Sequence, residues 1–362
     1  MADHSTAAAK GRWTRTTPRL VEPDTEETLQ QQFRDNGWTD QLPIVLPSVE
    51  RVTEMLAHTS RKPDEVVGHM QSTANRGLWE YTVEKVAVNA VMAGANPEYF
   101  PVILALAASG VSARSSTSSS ASAMVVVNGP IRKEIGMNGG IGAMGPFNHA
   151  NATIGRAYGL LSQNLQGGSV PGDTYMGSQG NNFCYNNLTY AENEERSPWE
   201  PLHVTKGFKK DDSTVSIFWG CRSVTFNLGL REKYWREHVH DMLLGTDAVS
   251  APCLVLDPIT ARQFIDRGEF DTKDKLIAFV HDSAKMPAGR YWDLQLIQNY
   301  RYPWATFGRE PLASKLKVGE DELINIWEPE DINVVVVGGE TNGYWQIVGC
   351  NYRASVKIDD WR

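Results

Sequence analysis

Met124-Val-Val-Val-Asn-Gly-Pro130 is the stretch that decides the fold class of this chain. Its three consecutive valines predict a short buried strand, and the Asn-Gly-Pro that follows predicts a turn into a helix. Leu254-Val-Leu-Asp-Pro-Ile259 repeats the pattern, with a strand that stops at an aspartate before proline. Residues at helical spacing flank both copies. We therefore predict an α/β protein, with a mixed α+β arrangement as the alternative.

Working outward, the strands and helices divide the chain into two packed α/β halves at residues 23–205 and 206–362. A polar, disordered arm is expected at residues 1–22. The repeated strand-to-helix pattern leaves two explanations open, a distant internal duplication or simply the commonest way in which a strand meets a helix. Residues 166–205 have no clear periodicity, and a segment of that length in a folded domain is most often a functional loop.

Composition limits the classes of function. Of 362 residues, 41% are hydrophobic and 22% are charged, so the chain can build a sizeable core without disulfides. The formal net charge of −8 argues against a nucleic-acid partner, which would need a basic surface. No stretch approaches the roughly 20 apolar residues that cross a bilayer, so we expect no membrane association. Four cysteines without a C-x-x-C pair are typical of a reducing compartment, which favours the cytoplasm.

Four glutamates crowd the stretch Tyr190-Ala-Glu-Asn-Glu-Glu-Arg-Ser-Pro-Trp-Glu-Pro-Leu-His203, together with a tryptophan and a histidine. A carboxyl group held beside a like charge, or against an indole ring, has a raised pKa and can serve as a general acid or base. The alternative is that the run is only a solvated charged face.

A second group surrounds the glycine-rich loop 136–146, which precedes a helix expected to begin at His149. Such a loop can present backbone N–H groups to an anion, or can merely pack under another element. Cys184 lies in a polar, loop-like setting that suits a reactive thiol. His203, His149 and a glutamate leave a divalent metal open, although no metal-ligand spacing is present. No dinucleotide-binding fingerprint supports a nicotinamide or flavin cofactor.

These observations define the predicted site. The catalytic candidates are Glu192, Glu194, Glu195, His149, His203 and Cys184, and the substrate-binding candidates are Asn128, Asn148, Asn151, Arg156 and Trp199.

Several motifs resemble a bacterial family of largely uncharacterised proteins. They are Gly37-Trp-Thr-Asp-Gln-Leu-Pro43, the helical run 83–94, Val127-Asn-Gly-Pro130, Ala150-Asn-Ala-Thr-Ile-Gly-Arg156 and Ala191-Glu-Asn-Glu-Glu-Arg-Ser-Pro-Trp-Glu-Pro201. The resemblance covers about residues 25–285. Members of that family resemble partners of, or fusions to, thiol or selenol proteins with a U/C-G-S-C motif. This chain has no such motif of its own, so the resemblance implies a partner protein or a stand-alone role.

Three functions follow from these patterns. We favour an enzyme that acts on a small polar or anionic organic molecule by acid–base chemistry of the lyase or hydrolase type. The first alternative is a non-catalytic subunit that forms the pocket of a thiol- or selenol-dependent enzyme. An exposed aromatic surface built from Tyr291, Trp292, Tyr300, Tyr302 and Trp304 would suit that partner, and would equally suit a homo-oligomer. The second alternative is a small-molecule binding protein without chemistry.

Overall fold

Strands and helices alternate along the chain as the valine-rich stretches predict. The computed structural model describes residues 21–69, 80–114, 120–166, 171–172 and 175–362, so most of the predicted N-terminal arm lies outside the described residues. The strands of the described residues are β1 (Val66–His69), β2 (Glu80–Thr82), β3 (Ser122–Asn128), β4 (Thr189–Ala191), β5 (Thr214–Leu228), β6 (Pro252–Leu256), β7 (Lys285–Pro287), β8 (Leu323–Asn325), β9 (Asn333–Val336) and β10 (Tyr344–Lys357). Their helices are α1 (Glu26–Asp35), α2 (Val49–Leu56), α3 (Val83–Met92), α4 (Phe100–Ala108), α5 (Ile131–Glu134), α6 (His149–Asn164), α7 (Leu202–Thr205), α8 (Trp235–Leu244), α9 (Pro258–Gly268), α10 (Lys273–Ser283), α11 (Ala288–Asp293), α12 (Gln295–Tyr300), α13 (Tyr302–Thr306) and α14 (Leu312–Lys315).

A six-stranded mixed sheet in the order β4-β3-β5-β10-β6-β9 organises the protein. The long strands β5 and β10 pair antiparallel at its centre, and the parallel pairs β3/β4 and β6/β9 flank them. Helices pack on this sheet, which confirms the predicted α/β class. The sheet takes strands from both predicted halves, and the division at residue 205 stays a prediction.

The two flanks of the sheet have the same strand arrangement. Read from either edge, a short strand pairs parallel with a fully buried strand, which pairs antiparallel with a long central one. The two sequence patterns that suggested a repeat, in β3 and β6, occupy equivalent places in this arrangement. Internal duplication itself stays a prediction.

Alternate side chains of the strands point to two different cores, because successive residues of a strand face opposite sides. Val125 and Val127 of β3 pack with the helices α3, α4 and α6. Met124 and Val126 instead pack in an interior cluster with residues of every other strand of the sheet, among them Cys253 and Cys350. The backbone N–H of Asn193, just after edge strand β4, donates to the carbonyl of Val336 in the opposite edge strand (2.8 Å). The sheet therefore curls so far that its two edges meet at one end.

Local sequence explains where the elements around the site begin. Asn148 caps α6, since its side chain accepts from the backbone N–H of Asn151, and Asp257 caps α9 in the same way before Pro258. β6 stops before Asp257, as its sequence pattern predicts. β5 is one long bulged strand, because Gly220 (φ +89°) carries the backbone through the irregularity. Within the described residues, no helix is long and apolar enough to span a membrane.

Candidate functional site

The glutamates of the predicted site converge at the ends of β3 and β4. Glu192 follows β4 directly and is fully buried. Asn128 ends β3, and its side-chain N–H groups donate to Glu192 Oε2 (2.7 Å) and to Glu194 Oε1 (2.8 Å). The parallel pairing of the two strands brings these residues together, since parallel strands end at the same edge of a sheet. We call Glu192, Glu194 and Glu195 the carboxylate cluster.

Backbone and cationic donors complete the contacts of the two inner carboxylates. Glu192 Oε2 also accepts from the backbone N–H of Leu202 (2.7 Å), and its Oε1 lies 3.6 Å from Lys273 Nζ. Glu194 accepts from the backbone N–H of Gly129 (2.8 Å) and pairs with Arg132 Nη2 (2.8 Å). Each of these carboxylates therefore already has several protein donors.

Glu195 lies at the outer side of the cluster. Arg132 donates to both of its oxygens (3.2 and 3.1 Å), and Lys133 Nζ lies 2.8 Å away. Partial burial raises the pKa of this carboxyl, but the hydrogen bonds from Arg132 and Lys133 outweigh burial and lower its pKa to about 2. A carboxylate so strongly held in its charged form is a poor proton acceptor near neutral pH.

Charge is balanced across the cluster. Three carboxylates face three cations, Arg132, Lys133 and Lys273, which come from α5 and α10. None of the carboxylates lines the cavity at Cys184 or the cavity at Trp219. This ion network holds strand ends and helices in register. Three of its buried atoms, Asn128 Oδ1, His203 Nδ1 and Lys273 Nζ, have no hydrogen-bond partner among the described residues.

His203 and Trp199, two candidates from the glutamate-rich stretch 190–203, lie beside the cluster. His203 is fully buried; its Nε2 donates to the carbonyl of Lys210 (3.2 Å), and its Nδ1 lies 4.0 Å from Glu194 Oε1. Trp199 is buried and donates from Nε1 to the carbonyl of Phe270 (3.0 Å). The structure thus brings Asn128, His203 and the glutamates together, and it places Trp199 in the neighbouring core.

The candidates on α6 are held by the protein itself. His149 Nδ1 lies 3.4 Å from the hydroxyl of Tyr99, and no hydrogen bond or ion pair among the described residues joins it to the carboxylate cluster. Asn151 donates to the carbonyls of Asn138 and Ala143, so the glycine-rich loop packs onto the helix. Arg156 clamps Asp40 through two hydrogen bonds (2.9 and 3.0 Å). These contacts support the packing interpretation of the loop.

Cys184 lies in a different place, at a polar cavity of about 470 Å³ between α6, the loop 37–41 and the segment 175–185. Its lining includes Asp40, Arg114, Gln163, Tyr175 and Cys184, and we call this cavity the Cys184 pocket. Its volume falls in the range of small-molecule sites.

Arg114 is the unusual group of the Cys184 pocket. It donates to Gln163 Oε1 and to the carbonyl of Cys184 (3.5 Å), while its buried Nε has no hydrogen-bond partner among the described residues. The nearby Asp40 is already engaged by Arg156. Burial lowers the pKa of the Arg114 guanidinium, although the neighbouring acidic groups raise it. Since an arginine stays charged in proteins, the pocket holds a positive charge that no carboxylate of the described residues contacts.

Two weak acids face this cation. Burial raises the pKa of the Cys184 thiol, and the charge of Arg114 only partly lowers it. Burial, followed by the neighbouring Cys184, raises the pKa of the Tyr175 hydroxyl. Both groups therefore carry their protons near neutral pH, and a nucleophilic role for Cys184 would need a base that removes its proton.

Sequence reasoning found Cys184 but missed Arg114, Gln163 and Tyr175. Arg114 stands immediately before the serine run, and Gln163 is one polar residue on a mostly buried helix. The sequence signal for Arg114 was a single cation between an apolar helix and a low-complexity loop.

Comparisons of the chain with protein-family models, with curated proteins and with solved structures found no match. Across the part of the chain that the structure describes, no group of three or more His, Cys, Asp or Glu side chains is placed to hold a metal ion.

Proposed function

We propose that the protein is an enzyme that binds a small organic anion in the Cys184 pocket and acts on it by acid–base chemistry. The observation that carries this proposal is the guanidinium of Arg114, which lines a 470 Å³ cavity with an unpartnered Nε and, among the described residues, no carboxylate in contact. A buried charge without a counter-ion is costly, and the anionic group of a ligand removes that cost.

The chemistry of the donors favours a carboxylate. Arginine presents planar N–H groups that match the two oxygens of a carboxylate. Gln163 fixes the orientation of the guanidinium, because its own N–H groups donate to the carbonyls of Gly37 (2.9 Å) and Thr39 (2.6 Å). The cation is therefore held in place before a ligand arrives, which lowers the entropic cost of binding.

The roles of the remaining groups follow from their protonation. Cys184 and Tyr175 hold protons beside Arg114, so in this proposal one of them donates its proton to the leaving group of the bound molecule as the bond to that group breaks. The carboxylate cluster serves as the scaffold that fixes the strand ends.

A ligand screen tests the binding step. We would measure thermal shifts with small mono- and dicarboxylates, each paired with its neutral amide, on the wild type and on Arg114→Gln, Arg114→Lys and Cys184→Ser. We expect at least one carboxylate to raise the Tm, its amide to have no effect, and Arg114→Gln to abolish the shift. Equal shifts with the amides would reject the proposal.

Turnover separates the enzyme from a binding protein. With a ligand in hand, Cys184→Ser and Tyr175→Phe should keep the thermal shift and lose product formation, which is followed by NMR. Retention of full turnover in both variants would remove these residues from the chemistry.

A second candidate function is the pocket-forming subunit of a thiol or selenol enzyme. Exposed aromatic side chains favour it: Tyr300, Tyr302 and Trp304 are 40–50% exposed and Phe307 is 81% exposed. This candidate expects ligand binding without turnover by the purified chain. Native mass spectrometry would distinguish a homo-oligomer, which the same surface suits, from a monomer that requires a different partner.

A further inference from the structure

A second cavity, of about 530 Å³, lies on the other half of the protein. Its floor comes from the bulged region of β5 and β10, at Trp219 and at residues 351–353. Its walls come from α12–α14 and from the segment 326–331. The carboxylate cluster and the Cys184 pocket contribute no residue to it.

Two guanidiniums in this cavity have no carboxylate in contact. Arg301 makes one hydrogen bond, to the carbonyl of Val249 (3.2 Å), and neither Arg301 nor Arg353 forms an ion pair within the described part of the chain. Arg353 keeps solvent exposure, yet burial of part of its guanidinium and the positive charge of Arg301 both lower its pKa. Both arginines line the cavity, and neither has a counter-ion in contact among the described residues.

Two further cations of the cavity are paired, and the carboxyl groups of Glu310, Glu330 and Asp331 also line it. Lys315 pairs with Glu328 (2.7 Å), and Arg222 lies 3.4 Å from Asp247. Asp331 is the acidic group that feels Arg301: burial raises the pKa of this carboxyl, and Arg301 lowers it. Arg309 lies over the ring of Trp304 at the rim (5.3 Å to the centroid).

Aromatic rings line the same cavity as Arg301 and Arg353. The guanidinium of Arg353 lies 5.4 Å from the ring centre of Trp219. Tyr300 and Trp304 form part of the wall and are 40% and 50% exposed. Exposed aromatic faces of this kind stack against flat apolar groups.

We propose that this cavity is a second ligand site, which binds an aromatic organic anion with its charge between Arg301 and Arg353 and its ring against the aromatic wall. The anion supplies a counter-charge to the two arginines, and the ring covers exposed aromatic surface. The volume suits a molecule of one or two rings. This site is independent of the proposed function, because it shares no residue with the Cys184 pocket.

Calorimetric titration tests the proposal with three probes: benzoate, phenyl phosphate and the neutral benzamide. We expect at least one anion to bind the wild type at least about tenfold more tightly than benzamide, a difference of roughly 1.4 kcal/mol. Arg301→Gln combined with Arg353→Gln should weaken that anion by at least about tenfold. The relative affinity of the two anions tells carboxylate from phosphate recognition.

Two controls make the result specific. Arg231→Gln removes an exposed cation outside the cavity and should change the affinity by less than about threefold. Arg114→Gln alters only the Cys184 pocket and should leave benzoate binding to this cavity unchanged. If the double variant unfolds, Arg353→Gln alone replaces it, because Arg353 is exposed. The proposal is overturned if neither anion binds the wild type, if benzamide binds equally well, or if the folded arginine variants retain full affinity.

Discussion

The carboxylate cluster and the Cys184 pocket use charge in opposite ways. In the cluster, three carboxylates meet three cations and several backbone or amide donors. In the pocket, one arginine is held by neutral groups, and Asp40, a carboxylate that lines the pocket, is paired with Arg156. The cluster has more charged residues, but the pocket holds a cation that no carboxylate of the described residues contacts. Density of charge along a sequence therefore marks structure as readily as function, whereas an unpaired charge in a cavity marks a missing partner.

The largest expected effect comes from breaking the balance of the cluster. Glu192→Gln keeps the shape of the side chain but leaves the buried Lys273 ammonium without its counter-ion. We expect the free energy of unfolding to fall by about 3–5 kcal/mol, the cost of removing one partner of a buried pair. Urea unfolding followed by circular dichroism measures it. A loss below about 1 kcal/mol would show that the network does not stabilise the fold.

Arg114→Gln should behave in the opposite way. No carboxylate of the described residues contacts this cation, so its removal leaves none of them unpaired, and we expect unfolding in urea within about 1 kcal/mol of the wild type. The same variant should lose the thermal shift with carboxylates. Loss of more than about 2 kcal/mol would assign Arg114 to structure and remove the contrast between the two regions.

The pH dependence of stability tests the ion pairs of Glu195 at the outer side of the cluster. The pKa of Glu195 is about 2 in the folded protein and 4.5 ordinarily, so its stabilising contribution is present above pH 4.5 and is lost as the pH falls towards 2. Because this side chain is 46% exposed, solvent screening limits the contribution to less than about 1 kcal/mol. Urea unfolding of the wild type and of Glu195→Gln at pH 7, 4 and 3 should give a difference that shrinks with acidity. A difference that stays constant over this window would contradict the ion pairing.

The smallest effect concerns the thiol of the pocket. Since burial raises the pKa of Cys184, iodoacetamide should modify the native protein at pH 8 more slowly than a free thiol, and faster as the pH rises. Intact mass spectrometry should find one adduct, because the other three cysteines are buried. Cys184→Ser should remove it. Rapid modification at pH 7 would instead indicate a thiolate and a nucleophilic role.

Much of the fold could be predicted from local patterns. The valines of β3 predicted a strand, and the helix expected to begin at His149 is α6. β6 ends before Asp257, as its sequence pattern predicts. The long pairing of β5 with β10 could not be predicted, because Gly220 interrupts the first strand and the partner lies far away along the chain. The meeting of Asn128 with Glu192 was within reach, since both follow strands. The place of Arg114 in the pocket could not be predicted. Asp40 is paired with Arg156 instead of Arg114, and these residues come together only in the folded chain.

The central pairing of β5 with β10 has a consequence for how the chain is made. Lys357 at the end of β10 contacts Asp212, 145 positions earlier, and β5 has its second neighbour only when β10 is in place. During synthesis, β5 keeps one unpaired edge until β10 leaves the ribosome. The N-terminal part of the chain, including the Cys184 pocket, is therefore exposed to other chains through that edge for this time. An unpaired edge that persists for so long invites pairing with other chains. We therefore expect this protein to depend on chaperones for its yield, and truncation before β10 to give aggregates.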